Sequence, residues 1–174
     1  PLRSNPPESV PDESGNLILG TSRSGALLYG LTLSEHYKAC ICADDREQLK
    51  EFYKNALHRI TQHSGRRIVF IDDDSRVFEN TAEDCPSCRY ISGVTELDAF
   101  IEELKPELNA RLEEPDAEHE QLMIVLSEFN DIFKMMTDEQ AAFMRKVFRY
   151  IDSPQYKICF LCGFDVNGEK NNDG

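Results

Sequence analysis

No apolar run in this sequence is long enough to cross a bilayer, and no segment shows the basic, apolar and small-residue succession of a secretory signal. We expect no direct membrane contact from the chain itself, which is compatible with a membrane-anchored parent. Positive charge is also scarce. The 19 Lys and Arg residues face 32 Asp and Glu, for a net charge of −13. Such a chain repels phosphate polymers and offers them no basic stripe, so nucleic-acid binding is disfavoured. Cysteines are present at 40, 42, 85, 88, 159 and 162, but not at the spacings of a disulfide framework, and 174 residues can build a core without staples. A reducing cytoplasm is the expectation. The histidines at 36, 58, 63 and 119 have no Ser or Cys partner that spacing nominates, so a nucleophilic triad is unsupported.

What is present is a single globular domain's worth of apolar residues, 40% of the chain. Residues 1–16 hold four of the eight prolines without an apolar period and read as an extended lead-in or linker. Residues 17–174 read as the domain, with a polar, Gly- and Asn-containing tail that marks a frayed end or a truncation.

The segment "LILGTSRSGALLYGLTL", residues 17–33, imitates a phosphate loop, with Gly20 and Gly25 separated by four residues. Ala26 and Leu27 stand where Lys and Ser or Thr are needed. The following residues alternate with a period of two, so the segment predicts a hairpin. A phosphate loop must instead feed a helix, whose first amides hold the anion.

Further on, residues 39–43 predict a buried strand, and Leu49, Phe52, Tyr53, Ala56, Leu57 and Ile60 recur at helical spacing. Asp44 or Asp45 is placed to cap that helix. "RRIVFIDDD" reads as a core strand, followed by an irregular Cys-containing connection to about Tyr90-Ile91. A helix is predicted from about Thr95, with Asp98 completing a capping box and Pro106 kinking or breaking it. "QLMIVLSEF" has the pattern of a central parallel strand. Thr137 and Gln140 form a second capping box before Phe143, Met144, Val147, Phe148 and Ile151, and "YKICFLCGF" closes as another buried strand. Strands alternating with helices in this way give an α/β domain with a mainly parallel sheet.

This order resembles one degenerate copy of the FtsK/SpoIIIE-type ATPase domain, most closely the C-terminal domain of the EssC/EccC coupling proteins of type VII secretion. The likeness spans about residues 17–163 and rests on "LILG", "LLYGLTLSEHYKACIC", "RRIVFIDD", "VTELDAFIEELKPELNARLEE" and "LMIVLSEFNDIF". It implies a RecA-like P-loop NTPase fold, with the phosphate loop at Ala43, Asp44, Asp45, Arg46, Glu47, Gln48, Leu49 and Lys50. In the G-x-x-x-x-G-K-[ST] frame, Ala43 and Gln48 replace the glycines, Leu49 replaces the lysine and Lys50 takes the hydroxyl position. Sliding by one aligns Lys50 with the lysine but leaves Asp44, Leu49 and Glu51 at the other defining places. No glycine remains to let the backbone curl around phosphate, and the acids repel it. At the Walker B position Ser127 and Glu128 replace the usual acidic pair, so one acid survives without a magnesium anchor.

The resemblance therefore implies an ATPase-like domain that is not itself an enzyme, within a bacterial cell-membrane protein whose cytoplasmic side carries it. No cofactor is expected, although weak ATP binding stays open. The implied partners are other ATPase domains of the same chain and secreted helical-hairpin substrates of the WXG type. Its implied role is substrate recognition or regulation of secretion; the alternatives are a regulatory nucleotide-binding domain and a redox-responsive module. Cys85 and Cys88 are the candidate redox pair, because C-x-x-C serves as a dithiol, as half of a zinc site, or as two reduced structural residues. Cys159 and Cys162 should point to opposite faces of a strand, while Cys40 and Cys42 should share a face as small core residues. "IDDDS" reads as a solvated turn rather than a cation site. Phe129, Ile132, Phe133, Met135 and Met136 are the candidate partner surface, with core packing expected for at least half of them.

Overall fold

The computed structural model describes residues 16–21, 27–32, 37–60, 66–83, 85 and 88–167. The predicted lead-in and the polar tail lie outside them, apart from Asn16 and residues 164–167. Strands β1 (Asn16–Thr21) and β2 (Leu27–Thr32) pair antiparallel as a two-stranded sheet, so the phosphate-loop imitation does run into a strand. Its turn, 22–26, is outside the described residues.

The main body then follows as β3 (Lys38–Ala43), α1 (Arg46–Ile60), β4 (Arg66–Asp72), α2 (Glu79–Glu83), β5 (Cys88–Ser92), α3 (Gly93–Glu113), β6 (Gln121–Leu126), α4 (Phe129–Met135), α5 (Asp138–Tyr150) and β7 (Ile158–Asp165). Its five strands are all parallel, in the order β3-β7-β6-β4-β5. The three inner strands carry near-continuous apolar runs because both of their faces are covered. Leu49, Tyr53, Ala56 and Leu57 bring α1 onto one face, joined by Phe78 and Ala82 around α2. On the other face α3 contributes Leu97, Ile101, Leu104 and Leu108, and α5 contributes Ala141, Met144 and Val147.

The Thr137–Gln140 capping box forms with both of its hydrogen bonds, at 3.1 and 3.2 Å. Four expectations need correction. Helix α3 begins earlier than Thr95, with Ser92 at its cap and the Glu96 carboxylate accepting from the Ser92 amide. It also continues through Pro106, because Pro106 and Glu102, whose carbonyl loses its donor, both lie on the solvent side where water serves. The irregular connection after β4 contains α2 and the edge strand β5. Finally, Cys40 and Cys42 are exposed rather than core residues, because β3 is the opposite edge strand. Cys159 and Cys162 do fall on opposite faces of the sheet.

Candidate functional site

In a parallel α/β sheet ligands bind beyond the carboxyl ends of the strands. Those ends of β3, β6 and β7 bring together both of the motif positions nominated by the sequence. Ala43 closes β3 and Arg46 opens α1, so only Asp44 and Asp45 connect them. Two residues provide no curl of inward amides around an anion. The Asp45 carboxylate instead accepts from the Gln48 amide at 2.9 Å, as an N-cap does, and so engages the helix terminus that a phosphate would use. The Gln48 side chain accepts from the Asp44 amide at 3.4 Å. Lys50 pairs with Glu47 at 2.6 Å on the exposed side of the helix. Leu49 is fully buried in the core beneath.

Arg46 binds the Asp131 carboxylate on α4, with Asp165 at the end of β7 3.9 Å from its Nε. The chain after β7 closes over the same connection. The Val166 amide donates to the Ala43 carbonyl at 2.9 Å, and the Asn167 side chain donates to the Asp44 carbonyl at 2.8 Å.

The Walker B position is likewise engaged from within. Glu128 is buried and caps α4, accepting from the Asp131 amide at 2.7 Å and from the Asp165 amide at 3.3 Å. Burial raises its pKa above the ordinary carboxylate range, with Asp131 adding to the rise, against the pull of the two amides and Arg46. The Ser127 hydroxyl donates to Asp72 at 2.7 Å. Asp72 is 1% exposed and also accepts from the Asp73 and Phe78 amides and from the Tyr90 hydroxyl, so the first acid of "IDDDS" is a buried organiser rather than part of a solvated turn.

A third occupant fills the space between these positions. The buried Tyr53 hydroxyl on α1 lies 3.1 Å from both the Leu126 and Ser127 carbonyls. Burial drives its pKa well above the usual tyrosine value, which keeps it a neutral donor. Gly163 on β7 makes this approach possible, since a Cβ there would overlap the Ser127 carbonyl and the Tyr53 hydroxyl. Sequence reading missed Tyr53, Asp72, Asp131, Asp165 and Gly163 as members of this cluster. The isolated glycine inside an apolar strand was the signal available for close backbone approach.

The other nominated residues lie elsewhere. Cys85 is buried and Cys88 half-buried, both as reduced thiols whose side chains interact. Burial first, and then the Cys85 side chain, push the Cys88 thiol up, so at neutral pH it is not the thiolate that exchange chemistry uses. Of the candidate partner surface, Ile132 and Met136 are buried in the core. Phe129, Phe133 and Met135 are half-buried, with Phe129 stacked on Phe164 at 5.1 Å and tilted against Phe133 at 4.5 Å. Among the described residues no group of three or more His, Cys, Asp and Glu is placed to hold a metal ion. No helix among them is long and apolar enough to cross a membrane.

No family model matches the sequence, and no curated protein matches it. Solved structures do. EccC of Thermomonospora curvata, comprising ATPases 2 and 3 in complex with a signal sequence peptide, superposes with a TM-score of 0.72 at 13% identity, covering 98% of this chain and 33% of that one. EssC of Geobacillus thermodenitrificans, also ATPases 2 and 3, gives 0.69 at 12% identity over 88% of this chain and 29% of that one. The pCW3 conjugation coupling protein TcpA, solved with ATPγS, gives 0.63 at 13% identity over 95% and 53%. The chain thus spans about a third of the length of the EccC and EssC chains it resembles, and it has the RecA-like P-loop NTPase fold of their ATPase domains.

Proposed function

We propose that this chain is a catalytically silent RecA-like domain of a type VII secretion coupling ATPase, placed at the C-terminal end of a membrane-anchored parent on its cytoplasmic side. It works by binding, either recognising secreted helical-hairpin proteins or controlling neighbouring ATPase domains of the same chain. The observation that carries this reading is the two-residue β3–α1 connection with Asp45 capping its own helix. A nucleotide would have to displace that carboxylate, break the Arg46 contacts and bring its phosphates up to Asp44, Asp45 and Glu47. Each of these steps opposes binding.

The fold shared with EccC and EssC supports the secretion assignment, and the bound signal sequence peptide in the EccC structure supports a role in substrate contact for domains of this shape. Mechanistically, such a domain shifts its neighbours only through differential affinity, because a ligand that binds two states equally moves no equilibrium.

Calorimetric titration with Mg-ATP, in parallel on a Lys50→Ala variant, tests the reading. No heat at millimolar nucleotide is the expected outcome. Saturable binding that Lys50→Ala weakens would overturn it in favour of a regulatory nucleotide pocket.

A further inference from the structure

Between helix α2 and strand β5 the chain turns through a pair of cysteines. The Cys85 amide donates to the Ala82 carbonyl at 3.0 Å, and the Cys88 amide donates to the Cys85 carbonyl at 2.9 Å. The second bond closes a four-residue turn, which brings the two Cα atoms to within about 7 Å. A disulfide needs them about 4.4 to 6.8 Å apart. The two thiols are already in hydrogen-bond contact. Cys85 is 3% exposed and packs with Phe70 and Phe78, whereas Cys88 is half-buried at the start of the edge strand.

The other four thiols lack this arrangement. Cys159 and Cys162 fall on opposite faces of β7. Cys40 and Cys42 stand two residues apart on an extended strand, about 6.6 Å between Cα atoms with nearly parallel Cβ directions. Cys40 and Cys162 are register partners on neighbouring strands, whose spacing of about 4.8 Å exceeds the roughly 3.8 Å between bridged Cβ atoms.

We infer that Cys85 and Cys88 are a modification site for small disulfides, which oxidise the pair to a reversible intramolecular bridge fastening the start of β5. Cys88, the more accessible sulfur, loses its proton and attacks one sulfur of oxidised glutathione, whose S–S bond breaks and releases glutathione thiolate. Cys85 then attacks the Cys88 sulfur of the mixed disulfide, the Cys85–Cys88 bond forms and the second glutathione leaves. Two electrons pass from the dithiol to the small disulfide, and the two thiol protons end on the released glutathiones. Burial holds Cys88 largely protonated, which slows the first attack. The same burial shields the finished bond and makes Cys88 a poor leaving group, so reduction is slow as well. The pair is thus a durable bridge rather than a fast exchanger. Tyr90, two residues further along β5, donates to Asp72, which in turn accepts from Ser127. The bridge therefore fastens the strand that reaches the Walker B position through Asp72. This inference lies beyond the proposed function and does not depend on it.

Incubation of the whole chain with oxidised glutathione, followed by alkylation and peptide mapping, tests it. The 85–88 peptide should lose two hydrogen atoms, while the exposed Cys40 and Cys42 take up glutathione and the buried Cys159 and Cys162 stay reduced. Reduced glutathione should open the bridge roughly tenfold more slowly than it clears Cys40 and Cys42. Cys85→Ser should stop at the mixed disulfide on Cys88, and Cys88→Ser should label Cys85 at least roughly tenfold more slowly than Cys88 is labelled in Cys85→Ser. Where a serine variant melts below the parent, the parent's own peptide map decides. Reduced Cys85 and Cys88 after Cys40 and Cys42 have reacted, a bridge that uses any other cysteine, or glutathione on Cys85 ahead of Cys88 would overturn the inference.

Discussion

The two ends of the parallel sheet are built on different terms. At the carboxyl ends of the strands, charged and polar groups are numerous, yet they are engaged with one another. Asp45 caps α1, Arg46 holds Asp131, Glu128 caps α4, and Tyr53 bonds two carbonyls. At the amino ends, the buried Arg111 guanidinium ties the Glu120, Tyr156 and Lys157 carbonyls just ahead of β6 and β7, and beside it a furrow lined by Leu108, Leu112, Phe143 and Tyr150 stays open. A fold shared with ATPase domains need not keep its opening at the carboxyl ends of its strands. Here the charged and polar groups at those ends engage one another, and uncovered apolar surface lies across the sheet.

The largest effect expected is at the closed end. Gly163→Ala puts a methyl into the Ser127 carbonyl, which is backbone and cannot swing away, as well as into the Tyr53 hydroxyl. A loss of more than about 3 kcal/mol is expected in urea unfolding. A near-neutral result would show that the strand ends are loosely packed.

Arg111→Met at the other end should cost about 2 to 3 kcal/mol, because it leaves three carbonyls without this donor and Glu107 with Arg67 alone, in a site only 2% exposed. Nearly normal urea stability would show that water replaces the guanidinium there.

A smaller contrast separates the ends by pH. Burial raises the Glu128 pKa, so the stability tied to its proton is fully present below the unfolded carboxyl value and is lost as pH rises through the folded value. For Glu107, burial is outweighed by hydrogen bonds from Arg67 and Arg111, and its pKa is lowered. Its contribution is present above the unfolded value and is lost as pH falls through the folded one. Denaturation series across acid pH should therefore give difference curves of opposite slope for Glu128→Gln and Glu107→Gln; slopes of the same sign would break the contrast.

Much of the architecture was legible in the sequence because it depends on short-range pattern. The periodicity of α1, the Thr137–Gln140 box and the apolar runs of β4, β6 and β7 are each contained within a few turns or one strand. Strand order is not contained there, and the errors follow from that. Cys40 and Cys42 looked like core residues until β3 proved to be an edge. Asp72 looked solvated because the groups that satisfy it, Phe78, Tyr90 and Ser127, are distributed over later elements. At the candidate site the sequence identified which residues stand at the motif positions, but not that a tyrosine on α1 reaches the space between them. Only the pairing of β7 beside β6, with a glycine at the point of contact, reveals it.

The pairing of β7 on its other side, with β3, bears on how the chain folds as it is made. β3 is the first strand of the large sheet to be synthesised, yet its partner is β7, with Ala43 beside Asp165. At roughly 5–20 residues per second, β3 waits on the order of ten seconds after synthesis before the strand that will hold it exists. By the end of that interval β4 can pair with both β5 and β6, while β6 still lacks β7 and β3 carries two exposed cysteines on an unpaired edge. A ribosome that stalls before residue 158 thus leaves β3 unattached and the β3–α1 connection without the Val166 and Asn167 contacts that cover it.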